Sequence, residues 1–321
     1  MRDGRPELSI VLVNHNGAGC LRFAVESLAR NTSTAEVECV VVDSGSRDRS
    51  WQGVERSWDK IRVLRFEDNI GFCAGCNRGA EASEGRLLAF VNFDGVVEAN
   101  WDEPLRRVLD DPTVSVATGL LLSPDGSTIE AAGLEIAPNM ATYGRLQRLP
   151  RGAAPRDSSD VSAASGALMM VRREEFLGLG GFYEPIFMYG EEADYCLRAS
   201  GRVVLAPESA LRHEQGHASG RWRSPVRLYW PSRNRLLIAA RHLPLPSLVK
   251  SVAASATFDL VTLAQTRNTD AAKAILRGWS DGLSEMRAER RARQPEQRLS
   301  AAKRLVSFRE ALREQRRLGR L

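Results

Sequence analysis

Cysteine is scarce and scattered in this chain. Cys20, Cys39, Cys73, Cys76 and Cys196 are an odd set of five in 321 residues, which excludes the paired framework of a small disulfide-stapled domain. Cys73 and Cys76 have redox-motif spacing. No second pair or histidine stands beside them, so neither a zinc site nor a redox function is expected there. No basic stretch followed by an apolar run opens the chain, so no signal peptide is expected. No apolar run approaches the ~18–20 residues that span a bilayer, and a cytoplasmic location is expected. The glycine-rich stretch 71–79 is not of the Gly-x-Gly-x-x-Gly type and lacks Lys-Ser/Thr after its last glycine. That excludes the dinucleotide fingerprint and the phosphate loop of nucleotide hydrolases. No nucleic-acid recognition motif occurs and aromatics are sparse among the basic residues, so nucleic acid is not an expected partner.

What is present is ordinary for a globular protein, at 43% apolar and 26% charged residues. The length allows one large domain or two ordinary ones. Charge is uneven: residues 281–321 hold twelve Arg and Lys against six Asp and Glu, a net of +6 in a chain whose total is +5. A basic tail, not a basic body, needs explaining. Leu305, Phe308 and Leu312 share one face of its last helical stretch, and the opposite face is basic. Three readings compete for it: packing on the chain's own domain or a second subunit, contact with an anionic membrane surface, and nucleic-acid binding.

The organising stretch is residues 87–95, Leu-Leu-Ala-Phe-Val-Asn-Phe-Asp-Gly. An apolar run between glycines reads as a strand buried on both faces. It ends on Asp94 with Asn92 beside it, and ligands usually bind at the carboxyl ends of strands in an α/β sheet. Asp and Gly also favour turns, so Asp94 alone is ambiguous. Residues 8–13 and 37–42 repeat the pattern, the first running into Asn14-His15-Asn16-Gly17 and the second into Asp43-Ser44-Gly45-Ser46. A helix with Leu21, Val25 and Leu28 on one face lies between them. Ser46 or Asp48 is expected to cap another before the strand at 61–66. The alternation predicts an α/β fold with a parallel, doubly wound sheet whose acids Asp43 and Asp94 share one edge. Further strands are expected at 114–119, 165–171 and 203–205. Residues 138–160, rich in Pro, Gly and Arg, read as a long loop of the lid or acceptor-loop kind.

Glu191, Glu192 and Asp194 open a helix after Phe187, Met188 and Tyr189. Acids in a first turn suit the helix dipole, and the aromatic setting would bury a carboxylate and raise its pKa. His213 is placed to supply a nitrogen ligand beside a carboxylate-bound divalent metal. After residue 221 the pattern turns helical.

Taken in order, residues 9–16, Asp43 with its flanks at 40–46, Asn69-Ile70-Gly71-Phe72, Asn77-Arg78-Gly79, Asn92-Phe93-Asp94, Ser165-Gly166-Ala167, Gly180-Gly181-Phe182, Glu191-Glu192-Ala193-Asp194 and His213 resemble the motifs of family 2 glycosyltransferases. The resemblance covers about residues 7–240 and is strongest to the rhamnosyltransferase-like branch of polysaccharide synthesis. It implies a GT-A-type, mostly parallel nucleotide-binding sheet over residues 1–220, with a helical C-terminal extension over 221–321. It implies an inverting, metal-dependent hexosyl transfer from a nucleoside diphosphate sugar, dTDP-rhamnose or a UDP-sugar, to a hydroxyl of a saccharide or lipid-linked acceptor. Asn14, Asn16, Asp43, Ser46, Asn69, Gly71, Asn77, Arg78, Asn92 and Asp94 would bind the donor. Asp94 and His213 would hold Mg²⁺ or Mn²⁺. Glu192 stands at the base position, with Glu191 and Asp194 as alternatives because Glu replaces the usual Asp at 192. Phe93 replaces the branch's Pro. A homodimer and a peripheral membrane contact through the basic tail, at the inner face of the membrane, complete the expectations. The competing readings are a sugar-phosphate nucleotidyltransferase, whose Arg/Lys-containing loop after the first strand is missing from residues 14–17, and a non-catalytic membrane scaffold.

Overall fold

The computed structural model describes residues 5–214, 224–265, 268–291 and 305–318. In chain order the elements are β1 (Leu8–Asn14), α1 (Leu21–Asn31), β2 (Val37–Ser44), β3 (Ile61–Phe66), α2 (Gly71–Ala82), β4 (Leu87–Val91), β5 (Gly95–Val97), α3 (Asp102–Leu109) and β6 (Val114–Leu122). Then follow β7 (Ile129–Ala132), β8 (Leu134–Ile136), β9 (Thr142–Gly144), β10 (Ser159–Asp160), β11 (Leu168–Arg172), α4 (Arg173–Gly178), α5 (Glu191–Arg198) and β12 (Arg202–His213). The described chain closes with α6 (Pro225–His242), α7 (Leu245–Gln265), α8 (Thr269–Arg291) and α9 (Phe308–Arg317).

Ten strands form one sheet in the order β10-β12-β6-β11-β4-β1-β2-β3, with β5 beside β12 and β7 beside β6. β1 pairs in parallel with β2 and β4, β2 with β3, and β12 with β6. β11 is antiparallel to both β4 and β6. The sheet is therefore mostly parallel, as expected, and the carboxyl ends of β1, β2, β4, β6 and β12 share one edge. The all-buried runs of β1, β4 and β6 are the reason they form central strands. Leu21, Val25 and Leu28 of α1 are fully buried, each contributing roughly 1.5–3 kcal/mol relative to exposure. Beneath α5, the rings of Phe90, Phe176, Phe182 and Tyr195 pack with centroids 4.9–5.6 Å apart, which sets the height at which α5 meets the sheet edge.

Four local expectations differ. Between β2 and β3 the chain makes turns and a short 3₁₀ helix, Val54–Ser57, in place of an α-helix, because the Ser46 hydroxyl is engaged by Asn14 and the Asn16 amide. β12 is twelve residues long, not three, and carries two register shifts, one between Arg202 and Val203 and one between Leu205 and Ala210, where Pro207 cannot donate to a ladder. The loop 138–160 is anchored, with Met140 and Tyr143 buried. Helix α7 is long and apolar enough to cross a bilayer by length and composition; interspersed Ser and Thr disguised it as no single apolar run. The core is continuous from Leu8 to Leu248, so the division expected at residue 220 does not coincide with a break in packing. α9 begins at a capping box of Ser307 and Glu310 and buries Ala311 against Ala137 and Tyr143. Helix α9 therefore packs on its own chain; the side chains of Phe308 and Leu312 lie outside the described residues. Cys73 and Cys76 are free and buried on α2, with thiols that burial, chiefly, holds well above their usual pKa, so they stay protonated and inert.

Candidate active site

Two adjoining cavities open at the carboxyl edge. The first, about 440 Å³, is lined by His15, Ser44, Asn69, Gly71, Asn92, Asp94, Phe187, Glu191 and Trp230 among others. The second, about 550 Å³, runs from Glu130 and Thr142 to Asp259 on α7. Tyr189, Glu192, His213 and Arg227 line both. Clefts of about 680 and 690 Å³ elsewhere gather none of the candidate residues.

Asp94 and His213 meet because β5 turns back after β4 and pairs antiparallel with β12, which sets Gly95 opposite His213. A Cβ at 95 would stand 2.6 Å from the Cδ1 of buried Leu211, so a larger residue there would force the Leu211 side chain to shift. The Nε2 of His213 lies 3.1 Å from Asp94 Oδ1 and 3.2 Å from Asn92 Nδ2. Its Nδ1 faces both carboxylate oxygens of Glu130, at 3.0 and 3.1 Å. Glu130 reaches it from β7, which runs beside the last residues of β6 while β12 occupies the other side. Burial would lower the imidazole pKa, but the hydrogen bonds and charges of Asp94 and Glu130 outweigh it and push it up to about 10.

The donor set suits a hard divalent cation. Neighbouring ligands on an octahedral ion with bonds of about 2.1 Å stand about 3 Å apart, and Asp94 Oδ1 and His213 Nε2 are separated by 3.1 Å. Glu130 occupies Nδ1, which leaves Nε2 for the ion and holds the ring in place. Among the described residues no cluster of three His, Cys, Asp or Glu could enclose an ion, so the other ligands would be water and substrate oxygens.

The three acids of α5 have separate fates. Asp194 is fully buried and bonded to Arg198 Nε at 2.9 Å, Arg241 Nε at 3.0 Å and His242 Nε2 at 2.7 Å. Burial opposes its charge, but Arg198, His242 and Arg241 prevail and hold its pKa well below the usual range. It lines neither cavity. Glu191 is buried, its Oε2 has no partner, and burial followed by the charge of Glu192 holds it well above the ordinary carboxyl range. Glu192 accepts from Thr142 Oγ1 at 3.2 Å and from the Gly190 amide at 3.3 Å. The preceding loop is set by Asn234 of α6, whose Nδ2 lies 2.9 Å from the carbonyls of Ile186, Met188 and Tyr189. Phe187 and Tyr189 both adopt positive φ, 64° and 67°, a conformation unfavourable for bulky residues. The Phe187 ring stacks on Trp230 at 4.7 Å.

The remaining candidates divide. Asn69 and Gly71 reach the first cavity, and Asn69 Oδ1 accepts from Ser44 Oγ and the Gly71 amide. Asn14, Asn16, Asp43 and Ser46 do not line it. Asp43 is fully buried and accepts from Asn14 Nδ2 at 2.8 Å, and the cluster carries His15, whose Nδ1 lies 2.6 Å from the Ser44 carbonyl. Asn77 and Arg78 are also elsewhere: Asn77 exchanges hydrogen bonds with the Phe182 backbone, and Arg78 pairs with Glu81 and Glu184. His15, Glu130, Arg227 and Trp230 escaped sequence reasoning. His15 sits one residue past a strand end, which was the available signal; the other three had none.

The protein-family model described as Glycosyl transferase family 2 matches residues 9–176, more than half of the chain. The O-antigen biosynthesis protein RfbC of Myxococcus xanthus is 27% identical over 241 residues, 71% of this chain but 19% of that protein. The N-acetylglucosaminyl-diphospho-decaprenol L-rhamnosyltransferase of Mycobacterium tuberculosis is 25% identical over 301 residues, 76% of this chain and 95% of that enzyme. The chain thus spans about a fifth of one curated relative and nearly all of the other. A solved structure of GalNAc-T7 with UDP, GalNAc and Mn²⁺ superposes with a TM-score of 0.63 at 17% identity, over 91% of this chain and 59% of that one. At that identity the fold is what is shared, and it is the GT-A type.

Proposed function

The chain belongs to glycosyltransferase family 2, and on that premise we propose that it transfers a sugar, with inversion, from a nucleoside diphosphate donor to an acceptor hydroxyl in a site that Mg²⁺ or Mn²⁺ completes. One observation carries the reading: Glu192 is in the wall common to both cavities, as is His213, and Asp94 lines the first of them. The first cavity takes the donor and the second the acceptor, and a base between them meets the attacking hydroxyl.

Inverting transfer is a single displacement at the anomeric carbon, so the acceptor hydroxyl loses its proton as it attacks. Glu192 receives it. Glu191 faces only the donor cavity and keeps its own proton, so the pair carries one acid and one base in different roles. Thr142 and the Gly190 amide hold Glu192 in place. Asp194 is occupied by three cationic partners and serves to fix α5 against α6. Asp94 and His213 would hold the cation, with Glu130 orienting the imidazole; when bound, the cation stabilises the charge developing on the departing diphosphate. Arg227 offers a guanidinium on the same wall, suited to phosphate oxygens. Asn69, Ser44, His15 and the amide of Gly71 line the donor side, and the buried Asn14–Asp43–Ser46 cluster holds His15 and Ser44 there from behind.

The donor is a dTDP- or UDP-sugar and the acceptor a saccharide carried on a lipid diphosphate. The mycobacterial relative's name supports that acceptor class, as do Arg148 and Arg227 in the second cavity. The test is a thermal-shift screen with UDP, dTDP and GDP with and without Mn²⁺, followed by transfer assays. Metal-dependent stabilisation by one nucleotide is expected. No response to any of them, or full transfer by Glu192→Gln, overturns the reading.

A further inference from the structure

Helix α7 is built inside out. Its buried positions are Leu248, Ser251, Ser255 and Asp259, with Val252 and Phe258 partly buried beside them, so three of the four buried positions on the protein side are polar. Asp259 is 4% exposed and bonds Arg235 of α6 at 2.5 Å and the Trp279 indole of α8 at 2.7 Å. The opposite stripe holds Leu245, Val249 and Leu260, 60%, 62% and 65% exposed, in line with exposed Ala253 and Ala264 at helical spacing. An ordinary surface helix has the reverse arrangement. Lys250 is the only other charged residue on α7, and no acid stands on the outward face. Six of the eight large apolar side chains exposed among the described residues lie on α6, α7 and α8. The same helix supplies Phe258, Asp259 and Thr262 to the acceptor cavity.

We propose that the outward stripe of α7 lies in the plane of an anionic lipid bilayer and sets the acceptor cavity at the headgroup layer. This deepens the acceptor reading above and rests on it for its purpose. A cavity of about 550 Å³ accommodates a sugar and its diphosphate, but a long lipid anchor must remain outside. A site walled by α7 is separated from the surface that α7 presents by that helix alone, so an anchor would leave it close to that surface. The charge fits that surface: no acid on the stripe repels lipid phosphates, and α8 next in sequence adds exposed Arg287 and Arg291, beyond Lys273 and Arg277, which pair with Asp270 and Asp281 of the same helix. In-plane seating, not a span, follows from the Asp259–Arg235 pair, which holds the inner stripe on the protein and would be costly to draw into hydrocarbon. The tail helix α9, packed on its own chain, is not needed for this contact.

The test is flotation of the full chain with vesicles of phosphatidylcholine containing phosphatidylglycerol, against pure phosphatidylcholine. Wild type is expected to float with the anionic vesicles and to be released by alkaline carbonate. The combined variant Leu245→Glu/Val249→Glu/Leu260→Glu is expected to lose on the order of tenfold in partitioning, with unchanged circular dichroism and unchanged thermal response to UDP and Mn²⁺. The variant Ala253→Leu/Ala264→Leu, which extends the stripe, is expected to float more strongly, so the proposal stays testable if the triple variant misfolds. Absence of flotation by wild type, wild-type flotation by the folded triple variant, or resistance to carbonate overturns in-plane docking. A wild-type dimer that the triple variant converts to monomer, without flotation, would assign the stripe to a second copy and equally overturn it. Flotation without any nucleotide response would instead sink the transferase reading and leave the docking intact.

Discussion

Replacing Glu130 tests the metal-site reading without relying on turnover. The carboxylate meets His213 Nδ1 at 3.0 and 3.1 Å, and the two side chains are only 16% and 11% exposed. A hydrogen bond involving a charged group in such a place is worth about 1.5–3 kcal/mol. At about 1.4 kcal/mol per factor of ten, its loss corresponds to roughly ten- to hundredfold in affinity, the range seen when an outer-shell partner of a metal-bound histidine is removed. Glu130→Gln keeps an oxygen that can accept from Nδ1, so a loss of about tenfold is expected; Glu130→Ala also frees the ring to turn, and about a hundredfold is expected. Electron paramagnetic resonance of free Mn²⁺, titrated into the full chain with UDP present, reads this directly. Imidazole ¹⁵N shifts should show the altered Nδ1 environment in both variants. If Glu130→Ala binds Mn²⁺ within about twofold of wild type while remaining folded, Glu130 does not position a metal-binding histidine, and the Asp94–His213 assignment loses its main structural support.

Three further outcomes follow from the acids of α5. Glu192→Gln should lower kcat by about 10²–10⁴ while leaving the nucleotide and Mn²⁺ thermal shift in place; a comparable loss of nucleotide binding would show that Glu192 holds the donor and not the acceptor proton. Glu191 is held protonated in the native state, whereas the unfolded chain releases that proton above about pH 4.5, so its contribution to stability falls as pH rises. Glu191→Gln should therefore melt alongside wild type near about pH 4 and progressively above it toward about pH 7; a constant difference across that range refutes the assigned protonation. Asp194→Asn leaves Arg198, Arg241 and His242 around a neutral amide, and urea unfolding should report a loss of roughly 3–5 kcal/mol. Normal stability with abolished transfer would return Asp194 to the candidate bases.

Much of the architecture was legible because parallel strands buried on both faces leave continuous apolar runs. Residues 8–13, 37–42 and 87–91 are such runs, and the acids that end two of them pointed to the working edge of the sheet. The burial of the α5 acids was legible in the aromatics before them, but their division of roles was not. Asp194 is neutralised by Arg198 four residues on and by Arg241 and His242 nearly fifty residues on, and no local pattern announces partners at that distance. Asn77 read as a donor contact because its neighbours matched a motif; in the fold its side chain closes the turn at Phe182, a hydrogen bond across 105 residues. α7 was passed over since its apolar residues are diluted by serines that turn out to face inward.

The proposed metal pair shows most clearly where local reading stops. Asp94 and His213 are 119 positions apart, and each alone is a strand-end acid or a surface histidine. They come together through the register that places Gly95 opposite His213, where a Cβ at 95 would force the buried Leu211 side chain to shift. Gly95 first reads as a turn after the strand, yet it is the opening residue of β5. Glu130 then enters only because β7 borders the end of β6 on the edge opposite β12, so that the imidazole meets Glu130 at Nδ1 and Asp94 at Nε2. The proposed chemistry thus rests on two short antiparallel strands, β5 and β7, added to a mostly parallel sheet: the turn after β4 supplies Asp94 and the end of β12 supplies His213, and the added strands bring those two groups together and set Glu130 on the ring.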